Sequence, residues 1–124
     1  MNKIMAVAVG GALGSVMRYG LSNWVHNFVG RGFPYGTLAV NVLGCLVMGI
    51  LFVLLVERTS ESALWRAGLM VGVLGGFTTF SAFSIETFNL IEQGAMAKAL
   101  GNMAASLVLC IGATWLGVLL ARQL

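Results

Sequence analysis

Apolar residues run along this chain in four long blocks, separated by short stretches that carry most of the charges. The blocks lie at residues 4–24, 37–56, 65–88 and 99–121. A helix needs about 20 predominantly apolar residues to cross a bilayer, and each block is long enough. The pattern predicts an all-α integral membrane protein with four transmembrane helices, forming a single domain over residues 1–124.

The composition supports a lipid environment. Of the 124 residues, 59% are apolar and only 9% are charged, whereas soluble domains carry about 25% charged residues. A small soluble domain buries too little of its surface to hide so many apolar side chains. We therefore expect the lipid bilayer to be the solvent for most of the chain.

The charges bear on orientation and on partners. The net charge is +3, but the basic residues are scattered over loops and span ends, which argues against a nucleic-acid-binding face. Four spans place both termini and the second loop on one side. The side with the termini carries more basic residues than the opposite side, and this difference weakly favours cytoplasmic termini. A weak bias is compatible with insertion both ways round, and hence with an antiparallel homodimer. The terminal side carries Lys3, Arg58, Arg66 and Arg122, and the opposite side carries Arg31 and Lys98.

Metal and enzyme chemistry find little support. Cys45 and Cys110 fall near the middle of two spans, where we interpret them as free thiols in apolar surroundings rather than as a disulfide or metal pair. His26 is the only histidine, so zinc or haem lacks a ligand set. Since no Ser–His or paired-acid constellation occurs, we predict that the protein is not an enzyme.

Small residues recur every four positions on several helices. In lipid, where no hydrophobic effect draws helices together, such faces let backbones approach closely. Four helices are too few to enclose a wide pore, so we expect some of these faces to form a subunit interface. The faces comprise Gly10 and Gly14; Gly68, Gly72 and Gly76; Gly101 and Ala105; and Gly117 and Ala121.

Two polar residues lie deep in the first two spans. Arg18 is roughly 7–8 Å from the midplane, from a rise of 1.5 Å per residue, so it needs a partner, a water-filled vestibule or a route to the interface. We expect it to make the local potential positive. Asn41 has a similar depth and offers two amide donors. Its side chain either forms an interhelical hydrogen bond or donates a hydrogen bond to an anion.

The third span contains a sequence that disfavours a continuous helix. Gly75 and Gly76 are followed by the β-branched Thr78 and Thr79, all poor helix formers. A break here would leave backbone groups that must face protein, water or an ion. Carbonyl oxygens from two antiparallel copies would suit a hard cation such as sodium. A glycine kink that serves only packing is the alternative.

Polar and aromatic residues follow the predicted break. Phe80 and Phe83 share a helix face, and aromatic ring edges can approach a small anion. On the fourth helix a weakly polar stripe could replace an ion's water in steps, unless its hydroxyls bond to their own helix. Glu86, near the end of the third span, could cap a pathway, pair with a base or meet water. The polar residues are Thr79, Ser81 and Ser84 on the third span and Asn102, Ser106, Cys110 and Thr114 on the fourth.

The run GGFTTFSAFSIE at 75–86 resembles the Fluc/CrcB fluoride channels of microbes. The resemblance covers the whole chain, including GGALG at 10–14 followed by Arg18-Tyr19, and GTLAVN at 36–41 followed by Gly44 and Gly49. It implies an antiparallel, dual-topology homodimer in the inner membrane of a prokaryote. Such a dimer would have two narrow pores that passively and selectively export fluoride and so lower its toxicity.

The resemblance also implies roles for particular residues. Gly75 and Thr78 would hold a structural Na⁺ at the subunit interface through main-chain carbonyls. Phe80 and Phe83 would be paired pore rings, and Asn41 a pore donor. Two positions depart from the family: Ala82 stands where many relatives have a hydroxyl residue, and Cys110 where a serine often occurs. The remaining matches are Ser81, Ser84 and Thr114 as polar pathway positions and Arg18 as the vestibule arginine.

Two other functions stay open. A small multidrug transporter would also have about four spans, but such proteins carry a carboxylate in the first helix, where this chain has only Arg18. An accessory subunit of a larger membrane complex predicts no transport by the purified protein. The absence of a mid-span Asp, Glu or His to relay protons favours passive flow.

Overall fold

The computed structural model describes residues 2–59 and 63–124, and within them every regular element is helical. Helix α1 spans Lys3–Val29. Helix α2 spans Tyr35–Phe52 and continues as a π-helical turn over Val53–Glu57. The last helix, here α5, spans Met96–Arg122. No strand occurs in the described part of the chain, which confirms the all-α prediction.

The third span consists of two helices in line. Its first half, α3 (63–77), comprises Ala63–Trp65, a π-helical segment Arg66–Leu74 and Gly75–Phe77. Its second half, α4, spans Phe80–Glu92. A tight turn at Gly94, whose φ is 78°, then leads into α5. Glycine adopts this positive φ without steric cost.

Four helices are long and apolar enough to cross a membrane: Lys3–Val29, Tyr35–Glu57, Ala63–Glu92 and Met96–Arg122. The prediction of four spans is thus confirmed, although each helix is longer than its apolar block. Helix α1, for example, ends at Val29 rather than at residue 24, because helical hydrogen bonding continues through His26 and Asn27. Hydropathy marks the part of a helix that suits hydrocarbon, not the helix end.

Two helix pairs, α1 with α3 and α2 with α5, form the most extensive contacts. Glycine allows both. A Cβ on Gly76 of α3 would lie 2.6 Å from the carbonyl oxygen of Gly11 on α1. A Cβ on Gly49 of α2 would lie 2.9 Å from the amide nitrogen of Val118 on α5. These faces therefore pack within the chain, as expected of close helix pairs in lipid.

Much of the surface is not covered by the chain itself. In the most apolar window of α5 only 6% of residues are buried. Gly101, on one of the predicted small-residue faces, has no other described atom within 4 Å of a Cβ placed on it. Lipid or a second subunit must therefore cover this helix.

Candidate functional site

The third span is broken at its middle, as the sequence predicts. Helix α3 ends at Phe77 and α4 begins at Phe80. Between them Thr78 (φ −83°, ψ 154°) and Thr79 (φ −149°, ψ 120°) are extended. Extended residues cannot continue the i to i+4 ladder, so backbone groups at the centre of the span need partners outside the helix.

Asn41 of α2 bonds to the backbone at this break with both ends of its amide. Its Nδ2 donates to the Thr79 carbonyl at 3.1 Å, and its Oδ1 accepts from the Thr79 amide at 2.8 Å. One hydrogen of Nδ2 is used in this pair, and a primary amide has two. The predicted alternatives for Asn41 are therefore compatible: the side chain links α2 to the break and retains a second N–H.

The two carbonyls predicted to bind Na⁺ are those whose usual helical donors are diverted. In a continuous helix the Gly75 carbonyl would accept from the Thr79 amide, but that amide donates to Asn41. The Thr78 carbonyl would accept from the Ala82 amide, which instead donates to the Thr79 hydroxyl at 3.2 Å. Both oxygens are therefore available to another ligand, and carbonyl oxygens suit a hard cation. The sodium site itself stays a prediction.

Arg18 contributes to the same junction from α1. Its Nε donates to the Gly76 carbonyl at 3.3 Å, an oxygen that a continuous helix would pair with the Phe80 amide. The sequence predicted that Arg18 needs a partner, a vestibule or a route to the interface. In the structure it has a partner, which is the backbone of the broken helix. A guanidinium has five N–H donors and a permanent charge, so a positive charge lies beside the break.

A cavity of about 260 Å³ opens next to the break. Six of the predicted pathway residues line it, and its wall contains no Asp, Glu, Lys or Arg. The Phe80 and Phe83 rings have centroids 5.3 Å apart and planes inclined at 50°. The wall therefore presents uncharged donors and aromatic rings. The lining residues are Asn41, Thr79, Phe80, Phe83, Ser106 and Cys110, together with Cys45, Thr78, Leu107 and Ile111.

The other predicted pathway residues lie around this cavity. The Ser81 hydroxyl is 3.2 Å from that of Thr79, and Ser84 is exposed on α4. Thr114 donates to the Cys45 carbonyl at 3.1 Å and lines an adjoining cavity of about 350 Å³. Asn102 is different: it is buried and donates to the Thr87 hydroxyl at 2.9 Å, so it links α4 to α5.

Glu86 lies in a separate cavity of about 400 Å³, with His26, Arg31 and Lys98 in its wall. Its Oε1 is buried and accepts no hydrogen bond from the described residues. Lys98 donates instead to the Gly32 carbonyl at 3.1 Å, and His26 accepts from the Gly36 amide at 3.0 Å. Glu86 is thus close to basic side chains without forming an ion pair with any of them in the described structure.

Sequence reasoning missed Cys45 and the apolar wall residues Leu107 and Ile111. A signal for Cys45 was present, because it follows Asn41 by four positions and so lies on the same face of α2. Leu107 and Ile111 flank Ser106 and Cys110 on α5 but carry no polar atom that would single them out.

Four apolar spans, the third broken beside a mostly apolar cavity that contains a few polar side chains, define a multi-pass membrane protein. The sequence matches the family model of the CrcB-like protein, Camphor Resistance (CrcB), over residues 5–118, and the chain belongs to this family. Similar proteins include "Fluoride-specific ion channel FluC" of Coxiella burnetii, 52% identical over 122 residues and 98% of each chain. The protein of that name from Geobacter metallireducens is 49% identical over the full length of both chains. The resemblance found in the sequence is thus confirmed.

Proposed function

We propose that this protein is a passive, fluoride-selective channel. The observation that carries the proposal is the cavity at the helix break, with uncharged donors, paired rings and no carboxylate in its wall. Relatives of matching length named as fluoride-specific channels support the choice of ion.

The chemistry of the wall suits a small, strongly hydrated anion. Such an ion gives up water only where donors replace it step by step. The second amide hydrogen of Asn41, the hydroxyl of Ser106 and the positive edges of Phe80 and Phe83 supply these contacts. Arg18, bonded to the broken helix, adds positive potential. A cation would meet no carboxylate in this cavity.

We propose that the ion pathway runs along α4. From the cavity an anion would pass Phe80 and Phe83 and then the exposed hydroxyls of Ser81 and Ser84. It would reach the cavity that holds Glu86 and its basic neighbours. On the other side, Cys110 and Thr114 add weakly polar groups to the wall that α5 contributes. We propose that Glu86 marks one end of the pathway, where Arg31 and Lys98 attract anions.

We further propose that the active form is an antiparallel, dual-topology homodimer with two pores and a structural Na⁺ at its interface. The uncovered surface of α5, the open face at Gly101 and the weak charge bias support the dimer. The diverted donors of the Gly75 and Thr78 carbonyls support the sodium site. In the inner membrane of a prokaryote, such a channel would let fluoride leave the cytoplasm and lower its toxicity.

The rival functions find less support. A proton-coupled drug transporter would need a carboxylate in the first helix, and α1 has none between Lys3 and Val29. An accessory subunit would not need uncharged donors and aromatic rings around a cavity at mid-span.

The test is a flux measurement on purified protein in liposomes loaded with potassium fluoride. A potassium ionophore starts efflux, a fluoride electrode follows it, and potassium chloride vesicles are the parallel control. We expect rapid fluoride release without chloride release. Phe80→Leu should abolish the release, whereas Phe88→Leu, a matched change at an exposed ring of the same helix, should preserve it.

Two results would overturn the proposal. Folded wild-type protein that releases no fluoride would favour the accessory-subunit alternative. Release of chloride at the fluoride rate would exclude a selective pore.

A further inference from the structure

Two cysteines from different helices line the same two cavities beside the candidate pathway. Cys45 of α2 and Cys110 of α5 both line the cavity at the helix break and the adjoining one. Both are free thiols and half-buried. Because both residues line both cavities, the two thiols lie on a shared wall. The sequence indicated two separate thiols packed in apolar surroundings. The structure keeps them free but places both on the wall that the two cavities share.

The backbone holds this pair in place. One turn beyond Cys45, Gly49 packs against the backbone of α5, and a Cβ there would lie 2.9 Å from the Val118 amide nitrogen. One turn beyond Cys110, the Thr114 hydroxyl donates to the Cys45 carbonyl at 3.1 Å. The distance between the helices is therefore fixed by backbone contact and a hydrogen bond, not by the sulfur atoms.

We propose that Cys45 and Cys110 together form a binding site for a soft, two-coordinate metal ion, for which mercury(II) is the probe. Thiolate sulfur selects soft metals. In the binding step one Hg²⁺ forms two Hg–S bonds, the two S–H bonds break, and two protons are released. The product carries no net charge, which matters because a charge inside the bilayer is costly.

The donor set distinguishes this site from a zinc site. Structural zinc takes four protein ligands and catalytic zinc three. The described residues contain no group of three or more His, Cys, Asp or Glu side chains that could hold a metal. Silver(I) or copper(I) with two thiolates would leave one negative charge in the wall, so mercury(II) is the favoured occupant.

Occupation of this site should also stop conduction, a consequence that rests on the proposed channel function. The metal would lie in the wall shared by the two cavities, where Asn41 and Ser106 face the same space. It would replace two weak S–H donors with a bulky group that donates no hydrogen bond. Binding itself does not depend on the channel proposal and is measured separately.

The binding test titrates mercuric chloride into purified, reduced protein while free thiols and the ultraviolet mercury–thiolate absorbance are recorded. The chain has only two cysteines, so we expect one mercury per chain and loss of both thiols together. Cys45→Ala and Cys110→Ser should each weaken binding by at least about 100-fold, since the second bond of a chelate acts at high effective concentration. The double variant should show no thiolate absorbance.

The flux test applies the same titration to fluoride-loaded liposomes. We expect mercury to stop wild-type release at the concentration that saturates binding and excess dithiothreitol to restore it. Each single variant, compared with its own rate before mercury is added, should need a higher mercury concentration. Stoichiometric binding of two mercury ions per chain, or single variants as sensitive as the wild type, would overturn the two-thiol site. Unimpeded flux at full occupancy would overturn the block. Absent flux before mercury is added would count against the channel alone, because the binding titration stands without it.

Discussion

The two halves of the third span have different surroundings. Helix α3 lies along α1, with Gly72 and Gly76 close to its backbone and with Leu74 and Phe77 buried. Helix α4 leaves α1 and contacts mainly α5. The phenylalanines on either side of the break express the difference: Phe77 is 6% exposed and Phe80 is 78% exposed.

Helix α3 is therefore the half that anchors the span against α1, and α4 is the half whose side chains point outward. The backbone contacts of α3 fix the position of the break relative to α1. Asn41 and Arg18 then bond to the break itself. The residues of α4 beyond it can therefore be chosen for what they offer an ion or a second subunit. Changes in α3 should chiefly affect stability, and changes in α4 chiefly affect transport.

Gly76→Ala should have the largest effect on stability. Its Cβ would lie 2.6 Å from the Gly11 carbonyl oxygen and 3.1 Å from the Gly11 Cα, and this backbone cannot yield as a flexible side chain would. We expect a loss of about 3 kcal/mol, the upper range for overpacking, measured by equilibrium unfolding in mixed micelles. Gly68→Ala is the matched control, since its Cβ would meet Ala6 at an ordinary 3.6 Å. Equal losses for both variants would mean that α3 does not depend on this contact.

Phe77→Ala should have the next largest effect. In lipid the hydrophobic term is weak, so the main cost is the cavity left by the ring, about 2 kcal/mol at ~24 cal/mol per Å³. Phe80→Ala leaves no such cavity within the chain and should change the free energy of unfolding by less than about 0.5 kcal/mol. A comparable loss at Phe80 would show that another surface packs against its ring, and the contrast between the halves would then hold only for the isolated chain.

The sequence was sufficient for the spans and the break. Four apolar blocks correspond to four spans. The Gly75-Gly76 and Thr78-Thr79 pairs located the break because their backbone preferences act locally. Candidate residues such as Phe80 and Asn41 were also identifiable. A polar side chain at mid-span is costly in lipid, and the phenylalanines are interleaved with polar residues.

Long-range relations were not predictable. The partner of Asn41 is the Thr79 backbone, 38 residues away, and nothing in the local pattern specifies it. The shared position of Cys45 and Cys110 on two cavity walls depends on the rotation and offset of α2 against α5, which backbone contact at Gly49 and Gly117 sets. The π-helical turns of α3 also lack a local signature, because their hydrogen-bond register depends on packing along α1.

The smallest of the three expected losses of stability is at Thr79, where the two halves meet. The Thr79 hydroxyl caps α4 by accepting from the Ala82 amide at 3.2 Å, and loss of such a cap costs about 1 kcal/mol. Thr79→Val keeps the β-branched shape that favours the extended backbone but removes the acceptor, whereas Thr79→Ser keeps the acceptor. We expect unfolding measurements to show the loss for valine and near wild-type stability for serine. If the serine variant were destabilised and the valine variant were not, the methyl group rather than the cap would hold the junction. The start of α4 would then depend on packing, as α3 does. The difference between a packed and an outward-facing half would begin further along α4.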